Sequence, residues 1–336
     1  MKLIIDGTGG DYAPREIVKG AVLAAKEIEH EVIIIGEEDR ILVELKKNNY
    51  TGDNITLINA TEQITNEESP VKAVRRKKDS AIVKSLNMIK DDEADVFISA
   101  GSTGALLAGS LLILGRIKGI DRPAIAAFYP KIGKNEPALL LDCGANTDIK
   151  PKNLLQFGIM GSIYIENILQ RKNPEVGLLN IGVEHNKGDK LHKEAYILLE
   201  DSNLNFIGNV EGREVPAGVC DVIVADGFSG NIFLKTSEGI ASSIMKLIKI
   251  KLMESSISKL GALLSSKKLR SLKKEFDYAE AGGAPILGVK GVVLKIHGSS
   301  KSNAVYNSIL KAIPYVEKDL VDMIESSVKR NGDLND

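Results

Sequence analysis

A layered α/β fold built on one continuous sheet is the fold class this sequence predicts, on three observations. Short β-branched runs recur at 3–5, 32–35, 55–58, 96–99, 124–128, 138–141, 176–179, 205–207, 222–225 and 292–296. Each has strand length and is apolar on both alternating faces, the pattern of a strand buried on both sides. Helical spacing of apolar residues fills most of the intervals, and strands that alternate with helices pack as helical layers against a sheet. No Pro/Gly/Ser-rich linker interrupts the chain, so residues 1–336 are expected to form a single α/β unit of two intertwined lobes.

Taken in order, the run 3–5 ends at Asp6 and opens a glycine-rich turn, after which Ile17, Val18, Ala21, Ala25 and Ile28 mark a helix stripe. The chain closes on a similar stripe, Val305, Ile309, Ile313, Val316, Leu320 and Ile324. One stretch departs from the alternation. From about 239 to 276 the sequence is strandless and helical, with Met245, Ile248, Leu252, Leu260, Leu263 and Leu264 on it, and it is expected to project from the sheet.

Composition narrows the function. A length of 336 residues suffices for a large core, and a net charge of −1 supplies no global field for nucleic acid. The two cysteines, Cys143 and Cys220, lie in no CxxC or Cys/His spacing, which argues against a disulfide scaffold or a zinc site and fits a reducing cytosol. The start lacks a signal-peptide core, and the longest nearly apolar stretch, 104–115, is shorter than the roughly 20 residues a bilayer span needs. The expectation is a cytoplasmic protein whose membrane contact, if it has any, is peripheral.

Chemistry is expected at the strand ends. Six turns, at 6–11, 99–104, 142–146, 180–182, 226–231 and 297–300, are small, polar and rich in glycine. Ligands of open α/β sheets bind beyond the carboxyl ends of strands, where glycine admits close backbone approach and Ser and Thr hydroxyls add donors, so the set suits a phosphate. Any one of these turns is equally explained by helix capping and tight turning. A Walker A loop is absent, and Gly7-Thr8-Gly9-Gly10-Asp11-Tyr12 lacks the last glycine of a dinucleotide fingerprint. Asp6, Asp11, Asp142 and Asp226 stand at or near strand ends, where aspartates more commonly bind turn amides than metal, so neither metal nor cofactor is expected. Cys143 reads as a small packed residue rather than a nucleophile. His297 opens the last turn, and Lys187 sits in a polar loop from which it could reach a phosphate as a point charge.

Read together, the stretches 9–14, 99–107, 140–146, 154–161, 177–182, 205–212, 226–231 with 234–239, and 282–293 with 297–300 resemble the bacterial PlsX phosphate acyltransferase family almost end to end. The resemblance implies an isocitrate/isopropylmalate dehydrogenase-like fold, a three-layer α/β/α unit with one mixed ten-stranded sheet, and a homodimer. It implies an enzyme that moves a fatty acyl group from acyl carrier protein to inorganic phosphate for phospholipid synthesis. It also implies that the projecting segment aids dimerisation and touches the membrane through Ile257, Leu260, Leu263 and Leu264. Nearby Lys267, Lys268, Arg270, Lys273 and Lys274 would meet anionic lipid or the acidic carrier, and the downstream glycerol-phosphate acyltransferase is an implied partner. The chain departs from the family pattern at Gly7 and Thr8, where alanine and methionine are common, and at Ser102, where asparagine is.

For this chemistry Gly9, Gly10, Asp11, Ser102, Thr103 and Gly104 are expected to hold phosphate, and Lys187 to neutralise its charge. Asn231 would donate to the developing oxyanion, Asp226 would orient Lys187 or Asn231, and His297 would assist proton transfer. Two rival readings stay open: a phosphotransacetylase-like transfer from an acyl-coenzyme A, and a non-catalytic scaffold that docks carrier protein at the membrane.

Overall fold

The computed structural model describes residues 1–134, 136–275 and 282–332, with the side chains of 270, 273–275 and 330–332 left out. Twelve strands occur among the described residues: β1 (Lys2–Asp6), β2 (Glu31–Gly36), β3 (Ile55–Asn59), β4 (Val96–Ser99), β5 (Ala124–Ile125), β6 (Ala127–Tyr129), β7 (Ala138–Leu141), β8 (Glu175–Asn180), β9 (Asn205–Glu211), β10 (Val222–Val224), β11 (Ala284–Leu287) and β12 (Val292–Lys295). They form two sheets, a seven-stranded one in the order β3-β2-β1-β4-β12-β11-β5 and a five-stranded one in the order β6-β7-β10-β8-β9. Both are mixed, because β11 runs antiparallel to β12 and β5, and β6 runs antiparallel to β7, within otherwise parallel ladders.

The α/β class and the helical layers stand as expected, but the single ten-stranded sheet is divided in two. The physical reason lies in the run 124–128, which reads as one strand. Its start pairs with β11 and its end with β7, and Ala126 between them turns its N–H to the carbonyl of Pro285 at 3.0 Å. The chain thus passes from one sheet to the other in a single residue.

Burial on both faces explains the β-branched runs. Leu3, Ile5, Val32, Ile34, Val96 and Ile98 face one apolar cluster, while their neighbours Ile4, Ile33, Ile35 and Phe97 face another. The helices Arg15–Ala25 and Ser302–Glu317 cover the first face, and Ala81–Lys90 with Thr103–Gly109 cover the second. The first cluster continues beneath the second sheet through Leu139, Val176 and Val222, against the helix Pro151–Asn167. A third cluster, with Leu140, Ile223 and Leu234, packs the helix Gly227–Leu252 on the opposite face.

The long helical stretch begins at Gly227 and continues as Ser256–Leu264 and Ser266–Glu275. Within Gly227–Leu252 only Gly227, Gly230 and Leu234 are buried, all in the first third. Beyond them Ile240, Ile244, Leu247 and Ile250 are exposed, and so are Ile257, Leu260, Leu263 and Leu264. Lys267 and Lys268 are exposed as well, while the side chains of Arg270, Lys273 and Lys274 lie outside those described.

Candidate active site

Of the six strand-end turns, those at 6–11, 99–104 and 297–300 belong to the seven-stranded sheet and interlock through one buried carboxylate. Asp6, at the end of β1, accepts from the Thr8 amide at 3.0 Å, the Thr8 hydroxyl at 2.8 Å and the Gly9 amide at 3.0 Å on Oδ1, and from the Ser99 hydroxyl at 2.6 Å on Oδ2. The Ser99 hydroxyl in turn accepts from the Gly101 amide at 2.9 Å. Gly9 is required here by close approach, since a Cβ at that position would stand 2.5 Å from the Gly101 nitrogen. The third turn joins through the Asp11 amide, which donates to the Gly298 carbonyl at 2.8 Å.

Turns 142–146 and 226–231 lock together from the five-stranded sheet. Buried Asp142 accepts from the amides of Ile125, Ala145 and Asn146, and burial pushes its carboxyl up against the pull of those donors. The Gly227 amide donates to the Asn146 carbonyl at 2.7 Å, and Gly230 lies so close that an added Cβ would stand 2.0 Å from the Asp142 carbonyl oxygen. Asp226 caps the helix Gly227–Leu252, accepting from the Phe228 and Ser229 amides at 3.0 Å each. Cys143 donates its thiol to the Ile125 carbonyl, and burial raises its pKa well above the ordinary value, which keeps the sulfur protonated and un-nucleophilic.

The two sets of turns meet electrostatically. Lys295, at the end of β12, feels Asp6 and Asp11 from its own sheet and Lys235 from the helix that follows β10. Burial, aided by Lys235, pushes Lys295 down to about 8 in spite of the two aspartates. Burial likewise lowers the His297 pKa, with Lys235 and Lys295 opposing its protonation and Glu238 and Asp11 favouring it. The Cys143 thiol lies within reach of the same Lys235 and Glu238. Asn231, one helical turn before Lys235, packs against Gly144, is exposed, and its side-chain amide has no partner among the described residues. The turns are thus internally satisfied, and the charges of Lys235 and Lys295 bear on those nearby.

The expected residues fall into groups. Gly9, Gly10, Asp11 and Ser102 lie in the interlocked turns, although the Gly9 amide is already held by Asp6, and the Ser102 hydroxyl accepts from Ala105 at 3.5 Å. Gly104 sits against Pro70, and Thr103 is exposed beside it. His297 turns Nδ1 to the Ser299 hydroxyl at 2.8 Å. Lys187 stands apart, exposed in the loop after β8 and paired with Glu184 at 3.8 Å, and Asp226 is hydrogen-bonded to neither Lys187 nor Asn231 among the described residues. Asp6, Asp142 and Asp226 each accept from backbone amides, and no grouping of three or more His, Cys, Asp or Glu fit for a metal occurs among the described residues. A separate open cavity of about 490 Å³, lined by Leu111, Arg116, Arg122 and Lys150 among others, contains none of the expected residues.

Lys235 and Lys295 were not among the expected residues, yet each left a signal. Lys295 is the one charged residue of the otherwise apolar β12, at its end, and Lys235 follows Asn231 by four residues on one helix face.

With this geometry in place, comparison with known proteins is direct. A family model described as "Fatty acid synthesis protein" matches residues 1–323. A protein of Alkaliphilus oremlandii named phosphate acyltransferase is 51% identical over 333 residues, covering 99% of each chain. One of Clostridium novyi with the same name is 50% identical over 331 residues, 98% of this chain and 99% of the relative. Among solved structures, a phosphotransacetylase from Streptococcus pyogenes superposes with a TM-score of 0.62 at 18% identity, covering 94% of each chain. The EutD phosphotransacetylase of Staphylococcus aureus does so at 0.58 and 17%, again covering 94% of each. These structural likenesses speak for the fold alone.

Proposed function

We propose, from the premise that this chain belongs to the fatty acid synthesis protein family and is a phosphate acyltransferase, that it takes a fatty acyl group from acyl carrier protein and delivers it to inorganic phosphate. The observation that supports the reading is the interlocking of the glycine-rich strand-end turns within each sheet, with His297 in one of them and the unengaged side-chain amide of Asn231 beside another. Such turns suit a multiply charged oxyanion, and the reaction asks for little else.

Hydrogen phosphate attacks the thioester carbonyl carbon, a C–O bond forms, and the C–S bond breaks. The proton of the phosphate ends on the departing thiolate, so the products are acyl phosphate and free carrier thiol. A thiol with a pKa of about 8.5 leaves readily, and positioning and charge stabilisation carry most of the catalysis. Asn231, with its amide unengaged, donates to the carbonyl oxygen as it becomes an oxyanion, while the turns of Gly9, Gly10, Asp11, Ser102, Thr103 and Gly104 bound the phosphate side. His297, held mainly neutral by burial and its lysine neighbours, is placed to pass the proton. Lys187, exposed and paired with Glu184, contributes by steering an acidic carrier rather than by holding the phosphate.

The product would feed phospholipid synthesis through a downstream glycerol-phosphate acyltransferase. No helix among the described residues is long and apolar enough to cross a membrane. Exposed Ile240, Ile244 and Leu247 support a homodimer, and exposed Ile257, Leu260, Leu263 and Leu264 followed by Lys267 and Lys268 support peripheral contact of a cytoplasmic enzyme with anionic lipid. The deciding experiment follows release of carrier thiol from a long-chain acyl carrier thioester, with acyl phosphate trapped as its hydroxamate. Saturable, phosphate-dependent hydroxamate is expected. Turnover with acyl-coenzyme A alone would move the enzyme to the phosphotransacetylase class, and no turnover by intact, carrier-binding protein would leave only a scaffold.

A further inference from the structure

We infer that the open cavity between the segment leading into β5 and the start of the helix Pro151–Asn167 seats the phosphate of the pantetheine arm that carries the acyl group, held by Arg116, Arg122, Lys150 and Asn153. The inference rests on the phosphate acyltransferase reading and names where that enzyme grips its donor.

The cavity measures about 490 Å³, within the roughly 300 to 1,000 Å³ of small-molecule sites and larger than inorganic phosphate fills. Arg116, Asp121 and Arg122 come from one wall, and Asp148, Lys150 and Asn153 from the other. The walls are braced together. Gln156 of the helix accepts from the Asp121 amide at 3.0 Å and donates to the Gly119 carbonyl at 2.7 Å, while Arg116 donates to the Asp121 carbonyl at 2.6 Å. The site is therefore formed before a ligand arrives.

Its donors outnumber the acceptors this chain supplies. Asn153 is only 3% exposed, and its Oδ1 accepts from the Lys150 amide at 2.8 Å, but its Nδ2 donates to nothing among the described residues. A buried amide donor left unpaired costs free energy that a ligand oxygen in the cavity would recover. Arg122 forms neither a hydrogen bond nor an ion pair among the described residues, Lys150 forms no ion pair, and Arg116 engages one of its five N–H donors. Two carboxylates share the cavity with these three cations. Asp121 has Lys152 as a counter-ion at 3.9 Å, which leaves Asp148 alone against Arg116, Arg122 and Lys150. The balance favours an anion, and guanidinium groups bind phosphate with paired hydrogen bonds.

The rest of the lining selects among anions. A fatty chain would leave the cations without partners, and inorganic phosphate would leave the apolar side chains of Leu111 and Ile149 uncovered. A pantetheine arm meets all three features: its phosphate faces the cations, its amide N–H groups face Asp148, and its branched carbons cover Leu111 and Ile149. The cavity also adjoins the expected reaction site. Asn146 donates its side-chain amide to the Pro123 carbonyl, next to Arg122, at 2.7 Å, and Asn231 packs against Gly144 of the same turn. An arm anchored beside this turn delivers its thioester to the neighbourhood of Asn231.

The test uses the full-length enzyme and two small donors, acyl-phosphopantetheine and acyl-pantetheine, which differ only in the phosphate. Arg122→Gln removes the charge of an exposed side chain without partners, and Asn153→Asp keeps the acceptor for the Lys150 amide while replacing the unpaired donor with a carboxylate oxygen. Each is expected to raise the KM for acyl-phosphopantetheine about 10- to 100-fold, the loss of one charge-assisted contact, with the KM for acyl-pantetheine and for inorganic phosphate within about twofold of wild type. Equal rises for both small donors, or no rise for the phosphorylated one in folded Arg122→Gln, overturn the inference. Should Asn153→Asp fail to fold, Arg122→Gln decides alone. The arm occurs on acyl carrier protein and on coenzyme A, and the donor whose KM rises alongside that of acyl-phosphopantetheine identifies its source. A rise with carrier thioester but not with the small arm would mean that the cations meet the carrier's acidic surface, and overturns the site. If no thioester turns over, the phosphate acyltransferase reading fails by itself, and calorimetric titration with phosphopantetheine still decides the site. Wild-type binding that both variants weaken upholds it, and no wild-type binding overturns it.

Discussion

The two ends of the helix Gly227–Leu252 obey different rules. Its first turns are built into the strand-end turns: Asp226 caps it, Gly227 and Gly230 press on the Asp142 turn, and Leu234 enters the core. Its later turns touch little, for Gly239 has nothing within 4 Å of an added Cβ, and Ile240, Ile244, Leu247 and Ile250 are exposed. One element is thus packed into strand-end turns at one end and bears exposed apolar side chains beyond. The difference teaches that a residue's meaning in this chain is set by what the neighbouring strand-end turn brings to it, not by its helix.

The strongest way to break the comparison is Gly230→Ala. Alanine ordinarily stabilises a helix interior relative to glycine. Here its Cβ would stand 2.0 Å from the Asp142 carbonyl oxygen, a backbone atom that cannot yield without moving the turn. A loss of roughly 4 kcal/mol or more is expected, the range reserved for severe clashes, together with lost turnover. Urea denaturation measures it, and a variant as stable as wild type would show that the helix does not press on the Asp142 turn as described. Asp226→Ala acts on the same end more gently. Removing the cap frees the Phe228 and Ser229 amides and should cost about 1 to 2 kcal/mol, with Asp226→Asn recovering most of it.

A third test reads the cleft electrostatically. Lys295 has its pKa lowered from 10.5 to about 8 in the folded state, chiefly by burial. The unfolded chain therefore binds more protons between those values, so the native state is penalised below about pH 8 and the penalty fades as pH rises toward 10.5. The difference in urea midpoint between wild type and Lys295→Met should change in that alkaline window and be flat below it. A flat difference across the whole range would mean the ammonium is not desolvated.

Much of this was legible in the sequence. Ten β-branched runs bounded by glycine turns gave away the parallel ladders, because burial on both faces leaves no other composition. The strand β11 escaped notice since Pro285 demotes a four-residue run, and only its antiparallel partners β5 and β12 make a strand of it. The split at Ala126 was hidden for a related reason: pairing partners, not composition, divide 124–128 between two sheets. The glycine turns are where the structure interlocks, and Asn231 lies beside one of them at Gly144. Lys187 drew notice as a cation in a polar loop, whereas Lys235 and Lys295 sit in helix and strand patterns where a lysine reads as an exposed face. The burial that lowers the Lys295 pKa depends on tertiary packing, which no local pattern encodes.

The smallest effect sharpens the comparison most cleanly, because it repeats the first substitution nine residues further along the same helix. At Gly239 an added methyl meets open space, and the residue lies in helical backbone with no positive φ to protect. Alanine removes the extra backbone freedom of glycine from the unfolded chain without a steric cost, so Gly239→Ala should stabilise by about 0.5 to 1 kcal/mol. Activity should be unchanged, since nothing in the cleft contacts this position among the described residues. The pair of variants then differs in sign as well as size, though both are glycine to alanine in one helix. Were Gly239→Ala instead to destabilise, some surface must already lie against that turn of the helix. The candidate is the second chain proposed to cover Ile240 and Ile244, and the loss should then grow as protein concentration rises and the pair assembles.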